Sequence, residues 1–403
     1  MTTTNQPSTR FEPGAPPDAG GIPLSVPEIH GNEWVYVKEC LDSGWVSSAG
    51  PFVERFERDV AAAVTMPHGV AVVSGTAALH VALLVAGVEP DDEVLVSDLS
   101  FVAPANAIRY AGAWPVFIGP EPVHWQMDPA AVRAFLEERC ERRDDALWNR
   151  QSGRRVRALM PVHVLGHPCD MDALTALAGQ FNLVMIEDAT ESLGAWYRDR
   201  PVGALSALSC FSFNGNKIIT AGGGGMIVTD RPDWASRARY LATQAKDDPI
   251  EYVHHAVGFN YRLSNVHAAI GCGQLEQLPS FVAAKRDIAA RYRARLAEHR
   301  GLTFMAEAPW ARSTFWLSTI RVDPAQFPLS SRALMQWLAA AGIQSRPLWT
   351  PLHLNPSHAG AESVGTDHAL RLHAEALSLP SSVGTSLTDI DRVCDALARA
   401  ARA

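Results

Sequence analysis

Val70-Ala-Val-Val73-Ser74-Gly75-Thr76-Ala77-Ala78-Leu79-His80-Val-Ala-Leu-Leu-Val85 runs from a continuous apolar stretch, through a Ser-Gly-Thr turn, into residues that suit a helix. A strand over Val70–Val73 and a helix over Ala77–Val85 form the first unit of an alternation that sets the fold. Outward from it, Glu93–Val96 reads as strand, Ala103–Tyr110 as helix and Pro115–Ile118 as strand. Ala130–Glu137 is helical, a charged loop surrounds Arg139–Arg155, and Val156–Pro161 returns to strand. Met171–Ala178 is helix and Leu183–Ile186 strand, with two more strands at Leu205–Phe213 and Met226–Thr229. Unbroken apolar strands between helices predict an α/β fold with a mostly parallel central sheet covered on both faces. Upstream, Asn32 is positioned to cap a helix through Val35, Val37 and Leu41 that ends near Gly44. Residues 51–64 form a second amphipathic helix with Val53, Phe56, Val60 and Val64 on one face.

After Leu263 the alternation stops. Phe281, Ile288, Tyr292 and Leu296 recur at helical spacing, predicting a long connecting helix. A strand over Trp316–Val322 and helices over Ser331–Ala341 and near 388–401 describe a smaller α+β part. The expected division is a tail over 1–21, a large domain over 22–275 and a small C-terminal domain over 276–403. The tail is rich in Thr, Pro and Gly, which cannot build a core.

The 403 residues are 47% hydrophobic and 19% charged, and the net charge is −8. These values exclude a mainly disordered chain and give no broad basic face for nucleic acid, so an anionic ligand must be met by a local pocket. Only Lys38, Lys217, Lys246 and Lys285 are lysines among 35 basic residues, leaving four candidates for any amine chemistry. Six cysteines show neither CxxC pairing nor metal-ligand spacing and read as reduced, buried thiols. The start of the chain lacks a signal-like apolar segment, and no run is long enough to span a membrane. A soluble cytoplasmic protein is the expectation.

Chemistry is concentrated in a few places. Ser212-Phe213-Asn214-Gly215-Asn216-Lys217 puts a lysine just past a strand, ahead of apolar Ile218 and Ile219 and of Gly222–Gly225. Partial burial would lower its pKa and free the amine for a Schiff base; an ordinary surface lysine is the plain alternative. Val184-Met185-Ile186-Glu187-Asp188 ends a strand in two acids at the sheet edge where open α/β folds bind ligands. A buried carboxylate there needs a cation, which a protonated pyridine nitrogen would supply; a helix-capping acid is the commoner use. The amides of Thr76 and Ala77 open a helix and suit a phosphate, although such a helix start is mostly a plain cap. Neither GxGxxG nor a P-loop occurs, which argues against nicotinamide and ATP enzymes. Phe101, after a strand, could stack on an aromatic cofactor or fill the core. Asn260 begins a polar run before an apolar helix, and Lys246 reads as a solvated charge. His163 and His167 end another strand without a completing ligand set, so no metal is expected.

A lysine for a Schiff base, an acid for a pyridine nitrogen, a helix start for a phosphate and an aromatic for a ring together describe pyridoxal 5'-phosphate. Their order resembles the DegT/DnrJ/EryC1/StrS sugar aminotransferases over nearly the whole chain from Ile22. The resemblance rests on Gly44-Trp-Val-Ser-Ser, Gly75-Thr-Ala-Ala-Leu-His80, Pro161-Val-His-Val-Leu-Gly166 and Glu187-Asp188-Ala. It rests also on Ser212-Phe-Asn-Gly-Asn-Lys217, Gly258-Phe-Asn-Tyr-Arg262 and Arg346-Pro-Leu-Trp-Thr-Pro-Leu-His353. It implies the pyridoxal-phosphate-dependent fold type I and a homodimer with shared active sites. Lys217 would carry the cofactor and shuttle the proton, and Asp188 would hold the ring nitrogen protonated. Thr76, Ala77 and Ser212 would hold the phosphate, Asn260 would reach it from the other subunit, and Phe101 would stack on the ring.

The segments Ile22-Pro-Leu-Ser-Val-Pro, Glu187–Gly194, Thr243–Asp248 and Arg346–His353 look most like the bacillosamine and legionaminic acid branch. That branch implies amination at C4 of a nucleotide-linked 4-keto-6-deoxy-N-acetylhexosamine, with L-glutamate as donor. Another keto sugar, such as a perosamine-type GDP-sugar, is the alternative substrate. A non-catalytic cofactor-binding sensor is the alternative outside enzymes, and the family's sugar dehydratases carry His where this chain has Lys217. His163, Arg346 and His353 are expected sugar-nucleotide contacts, with structural hydrogen bonding the alternative. Glu191 departs from the Gln or His that commonly meets the ring hydroxyl. Two anionic oxygens cannot share a short contact without a proton, so Glu191 is either protonated there or turned toward the sugar.

Overall fold

The computed structural model describes residues 20–248 and 250–402, so the expected tail lies almost wholly outside the described residues. The central sheet holds parallel strands Glu93–Ser97, Trp114–Ile118, Arg155–Met160 and Val184–Met185. A second group orders His68–Val72, Gly225–Thr229, Leu208–Ser212 and Glu187–Asp188 as neighbours. Only the last pair of that group is parallel. The two groups join along one chain segment: Ile186 N donates to Leu159 O (3.0 Å) and Asp188 N to Pro161 O (3.0 Å). The result is one curled α/β sheet with the acids of 187–188 at its junction.

Alternate side chains explain why these strands are apolar throughout. Val94, Val96, Phe117 and Met160 enter one core with helix Gly75–Val85. Leu95, Val116 and Leu159 enter the other, with helices Pro51–Ala63 and Met171–Phe181. A strand covered on both faces has no polar side to show, and each such Val or Leu contributes about 1.5–3 kcal/mol by leaving water. Helix Gly75–Val85 begins where Ser74 Oγ accepts from Ala77 N (3.0 Å).

The C-terminal part has an antiparallel sheet ordered Leu302–Phe304, Ser318–Val322, Ala376–Leu379, Arg346–Pro347. Helices Leu278–Leu296, Ser331–Ala340 and Leu387–Ala400 cover it. The line expected at 275/276 is crossed twice. Ile22 joins the C-terminal core and bridges Ile343, whereas strand Glu362–Val364 pairs in parallel with Trp114–Ile118 on the large sheet.

Local expectations failed where polar residues hid the pattern. The charged 139–155 stretch is a hairpin, Cys140–Arg143 against Ala146–Asn149. Arg142 and Arg143 of the hairpin are exposed, while Asn149 donates to Glu93 (2.9 Å) and Glu362 (2.7 Å). The α-helix expected through Glu137 ends at Ala134 and widens into a π-turn over Phe135–Arg139. Asn32 precedes helix Glu33–Ser43 without capping it, because its side chain donates to Glu276 (2.7 Å) instead. All six cysteines are buried and unpaired. Among the described residues, no helix is long and apolar enough to cross a membrane.

Candidate active site

Strand Leu208–Ser212 delivers Ser212 and then Phe213 to a tight turn, closed where Lys217 N donates to Asn214 O (3.0 Å). The following glycines let backbone approach backbone. A Cβ on Gly225 would lie 2.3 Å from Ser74 O, and one on Gly75 would lie 2.8 Å from the Ser212 Cβ. Any larger residue at either position would push the Ser74–Ala77 turn away from Ser212, so the glycines fix the phosphate-sized corner.

Asp188 is 1% exposed. Its Oδ1 accepts from Thr190 N (3.1 Å), an uncharged donor, and burial raises its pKa, opposed by Thr190 and Lys217. A buried carboxylate whose donors are neutral suits a cationic ring nitrogen. Lys217 Nζ lies 3.8 Å from Glu191 Oε1 and 4.3 Å from the centre of the Trp316 ring. Burial lowers the amine's pKa, and Glu191 and Asp188 oppose that shift. Burial pushes Glu191 up to about 7, with Lys217 acting against it and Asp188 with it. Its other oxygen accepts from Leu165 N (2.8 Å). Lys217, Asp188, Glu191 and Ser212 therefore meet at one strand-end corner, opposite the helix start at Thr76.

The remaining expected residues are placed differently. The Ala77 amide is engaged by the Ser74 cap. Phe101 is exposed on the loop that follows Asp98. Asn260 is exposed beside Thr243, and among the described residues it makes no hydrogen bond to Lys217, Asp188 or Ser212. Lys246 is exposed and packs over Tyr252 (4.8 Å).

The sugar contact expected of His163 is corrected: it is 0% exposed and both ring nitrogens are engaged. Nε2 faces Glu187 Oε2 (3.2 Å), while Cys169 N donates to Nδ1 (3.1 Å). The Cys169 N–H fixes Nδ1 as an acceptor, so the ring is the neutral tautomer whose Nε2–H donates to Glu187; an imidazolium would set two N–H groups against each other. His167 is likewise structural. Its Nδ1 faces Pro168 O (2.8 Å), its Nε2 accepts from Ala308 N (3.0 Å), and burial brings its pKa down to about 4. His353 is held by Asp98, through Nδ1 to Oδ2 (2.8 Å) and its own N–H to Oδ1 (2.9 Å), so its Nδ1 serves the fold. Arg346 is exposed on a two-residue strand.

Sequence reading missed Trp316, whose ring faces Lys217 Nζ, and Lys285, whose Nζ donates to the Trp316 carbonyl (3.0 Å). Trp316 sits in an ordinary apolar run, and only the scarcity of lysine marked Lys285.

Four likenesses to known proteins bear on the whole chain. A sequence model of the "DegT/DnrJ/EryC1/StrS aminotransferase family" matches residues 27–398. GDP-perosamine synthase from Caulobacter vibrioides is 38% identical over 381 residues, spanning 94% of this chain and 98% of that protein. The "putative pyridoxal phosphate-dependent aminotransferase EpsN" of Bacillus subtilis is 38% identical over 384 residues, 93% and 95% of the two chains. The crystal structure of DesV from S. venezuelae superposes with a TM-score of 0.82 at 33% identity, covering 92% of this chain and 95% of DesV. With a lysine between two buried acids at the corner and a match over nearly its whole length, the chain belongs to the DegT/DnrJ/EryC1/StrS family and is a pyridoxal-phosphate-dependent nucleotide-sugar aminotransferase of fold type I.

Proposed function

We propose that the protein moves an amino group from L-glutamate to C4 of a nucleotide-linked 4-keto-6-deoxy-N-acetylhexosamine, working as a homodimer. The observation that carries the chemistry is the half-buried Lys217 amine, 3.8 Å from buried Glu191 at the corner that also holds Asp188. Pyridoxal phosphate supplies an aldehyde that joins an amine and a ring that accepts electron density. Lys217 would hold that aldehyde through its amine, and as a free amine it would carry a proton to and from the substrate carbon; partial burial favours its neutral, basic form. Asp188 holds a proton on the ring nitrogen, for which its neutral donors leave room. Ser212 and Thr76 hold the phosphate in the corner that Gly75 keeps open, and Ala77 shapes that corner through the Ser74 cap. Phe101, exposed on its loop, covers the ring face, and Asn260 serves the phosphate of the partner subunit.

Glu191 presents a protonated carboxyl to the ring hydroxyl. The loaded enzyme's absorbance should then titrate with a midpoint above the ordinary carboxylate range, because burial disfavours the Glu191 charge. Glu191→Gln should be flat across that window. An identical titration in both proteins would turn Glu191 toward the sugar.

The N-acetylhexosamine reading rests on the resemblance of the Ile22–Pro27, Glu187–Gly194, Thr243–Asp248 and Arg346–His353 segments, the first of which reaches the Lys217 turn. Ser25, within Ile22–Pro27, donates from Oγ to Asn216 O (3.2 Å), directly before Lys217. The curated relative's name favours a second reading, a GDP-linked keto sugar of the perosamine type. Purified enzyme with glutamate should convert the UDP-linked 4-keto-6-deoxy-N-acetylglucosamine faster than the GDP-linked 4-keto-6-deoxymannose. The reverse preference would establish the second reading, and no product from either sugar would end both.

A further inference from the structure

Lys285 projects from helix Leu278–Leu296 into the interior, 2% exposed. Its Nζ donates to Trp316 O (3.0 Å) and Ser381 O (2.5 Å). Burial brings the amine down to about 7, with no carboxylate contributing. An amine kept in an apolar core without an anionic partner is costly, and two carbonyls are all it holds in place.

One of those carbonyls belongs to Trp316, itself 3% exposed and tied at three further points. Its N–H donates to Leu165 O (3.1 Å), its Nε1 donates to Asn216 O (2.7 Å), and its ring face lies 4.3 Å from Lys217 Nζ. Leu165 in turn donates to Glu191, the carboxylate that faces Lys217. The contacts close a loop: Lys285 to Trp316, Trp316 to Leu165, Leu165 to Glu191, Glu191 to Lys217, and Asn216 back to the indole.

We infer that Lys285 and Trp316 are positioning residues for Lys217, fixing the backbone before it and giving its free amine a ring face to rest on. The inference rests on the reading of Lys217 as the reacting amine. A lysine amine sits on a long flexible stem. Whenever it is not joined to the cofactor it needs a surface that holds it within reach of the substrate carbon. The indole supplies a cation–π contact and excludes water from one side, while the Nε1 bond anchors the carbonyl from which the stem departs.

Three variants of the full chain test this: Trp316→Phe keeps a ring but loses the Nε1 donor, Trp316→Leu loses both, and Lys285→Met loses the amine. Cofactor-free protein is labelled with trace acetic anhydride across a pH series. Peptide mapping then reads Lys217 against Lys246, which is exposed. Trp316→Leu should raise the Lys217-to-Lys246 labelling ratio about tenfold and shift its pH midpoint, with Trp316→Phe and Lys285→Met in between. In loaded enzyme kcat should fall by a similar factor, about tenfold, while KM for both substrates stays within about twofold. An unchanged ratio, midpoint and kcat in the Trp316 variants, with melting temperatures showing folded protein, would overturn the proposal. An unchanged Lys285→Met would remove Lys285 from it, and if that variant does not fold the two Trp316 variants decide. Borohydride reduction of loaded wild type should tag Lys217. A missing tag would sink Lys217 as the reacting amine while leaving the labelling ratios readable.

Discussion

Lys217→Ala abolishes transamination: we expect turnover to fall by at least about 10³-fold, the scale of losing a positioned proton carrier and a nucleophile together. No second amine can substitute. Lys285 is held by two carbonyls deep in the C-terminal part, and Lys38 and Lys246 are exposed. The fold should survive, because the substitution removes an amine whose burial is itself unfavourable. The measurement is formation of amino sugar with glutamate as donor, beside a melting curve. A well-folded variant that still turns over at the wild-type rate would remove Lys217 from the chemistry.

The largest stability effect is expected at Glu187, the neighbour of Asp188. Glu187 is 0% exposed and collects five donors. Oε1 accepts from Leu205 N (2.9 Å), Ser206 N (2.6 Å) and Ser209 Oγ (2.8 Å), and Oε2 from Gly203 N (3.0 Å) and His163 Nε2 (3.2 Å). Burial opposes the charge, but these donors outweigh it and hold the carboxyl below its ordinary value of 4.5. Glu187→Gln must turn an NH₂ group toward either the first set or the second, so N–H meets N–H in both orientations. We expect a loss of about 3 kcal/mol, read as a lower urea midpoint. Because the folded pKa is depressed, the carboxylate's contribution is complete above pH 4.5 and is lost as pH falls through the folded value. The difference between wild type and variant should therefore shrink in acid. Equal midpoints at neutral pH would show that the five bonds add nothing net.

These two residues differ in how far the sequence revealed them. Lys217 announced itself: lysine is scarce, and this one follows a strand within a turn dense in Asn and Gly. Asp188 was visible as an acid ending an apolar strand. Glu187, beside it in the same dipeptide, gave no sign of its separate job, because its partners at 203–209 approach only when two strands align in parallel. His163 was legible as a histidine ending a strand and His353 only through the family resemblance, yet the structure gives His163 to Glu187 and Cys169, and His353 to Asp98, 255 residues away.

The alternation of apolar runs and helices, the strand-end lysine and acid, and the Ser-Gly-Thr helix start were set by the chain alone. Each depends on residues within a few positions of one another, where side-chain period and turn chemistry act directly. The 140–149 hairpin, the strand 362–364 on the large sheet, Ile22 in the C-terminal core and the Trp316 brace on Lys217 were decided only in three dimensions. Trp316 and Asn216 are 100 residues apart, and a hydrogen bond at that separation depends on packing of the intervening chain, which local pattern does not encode.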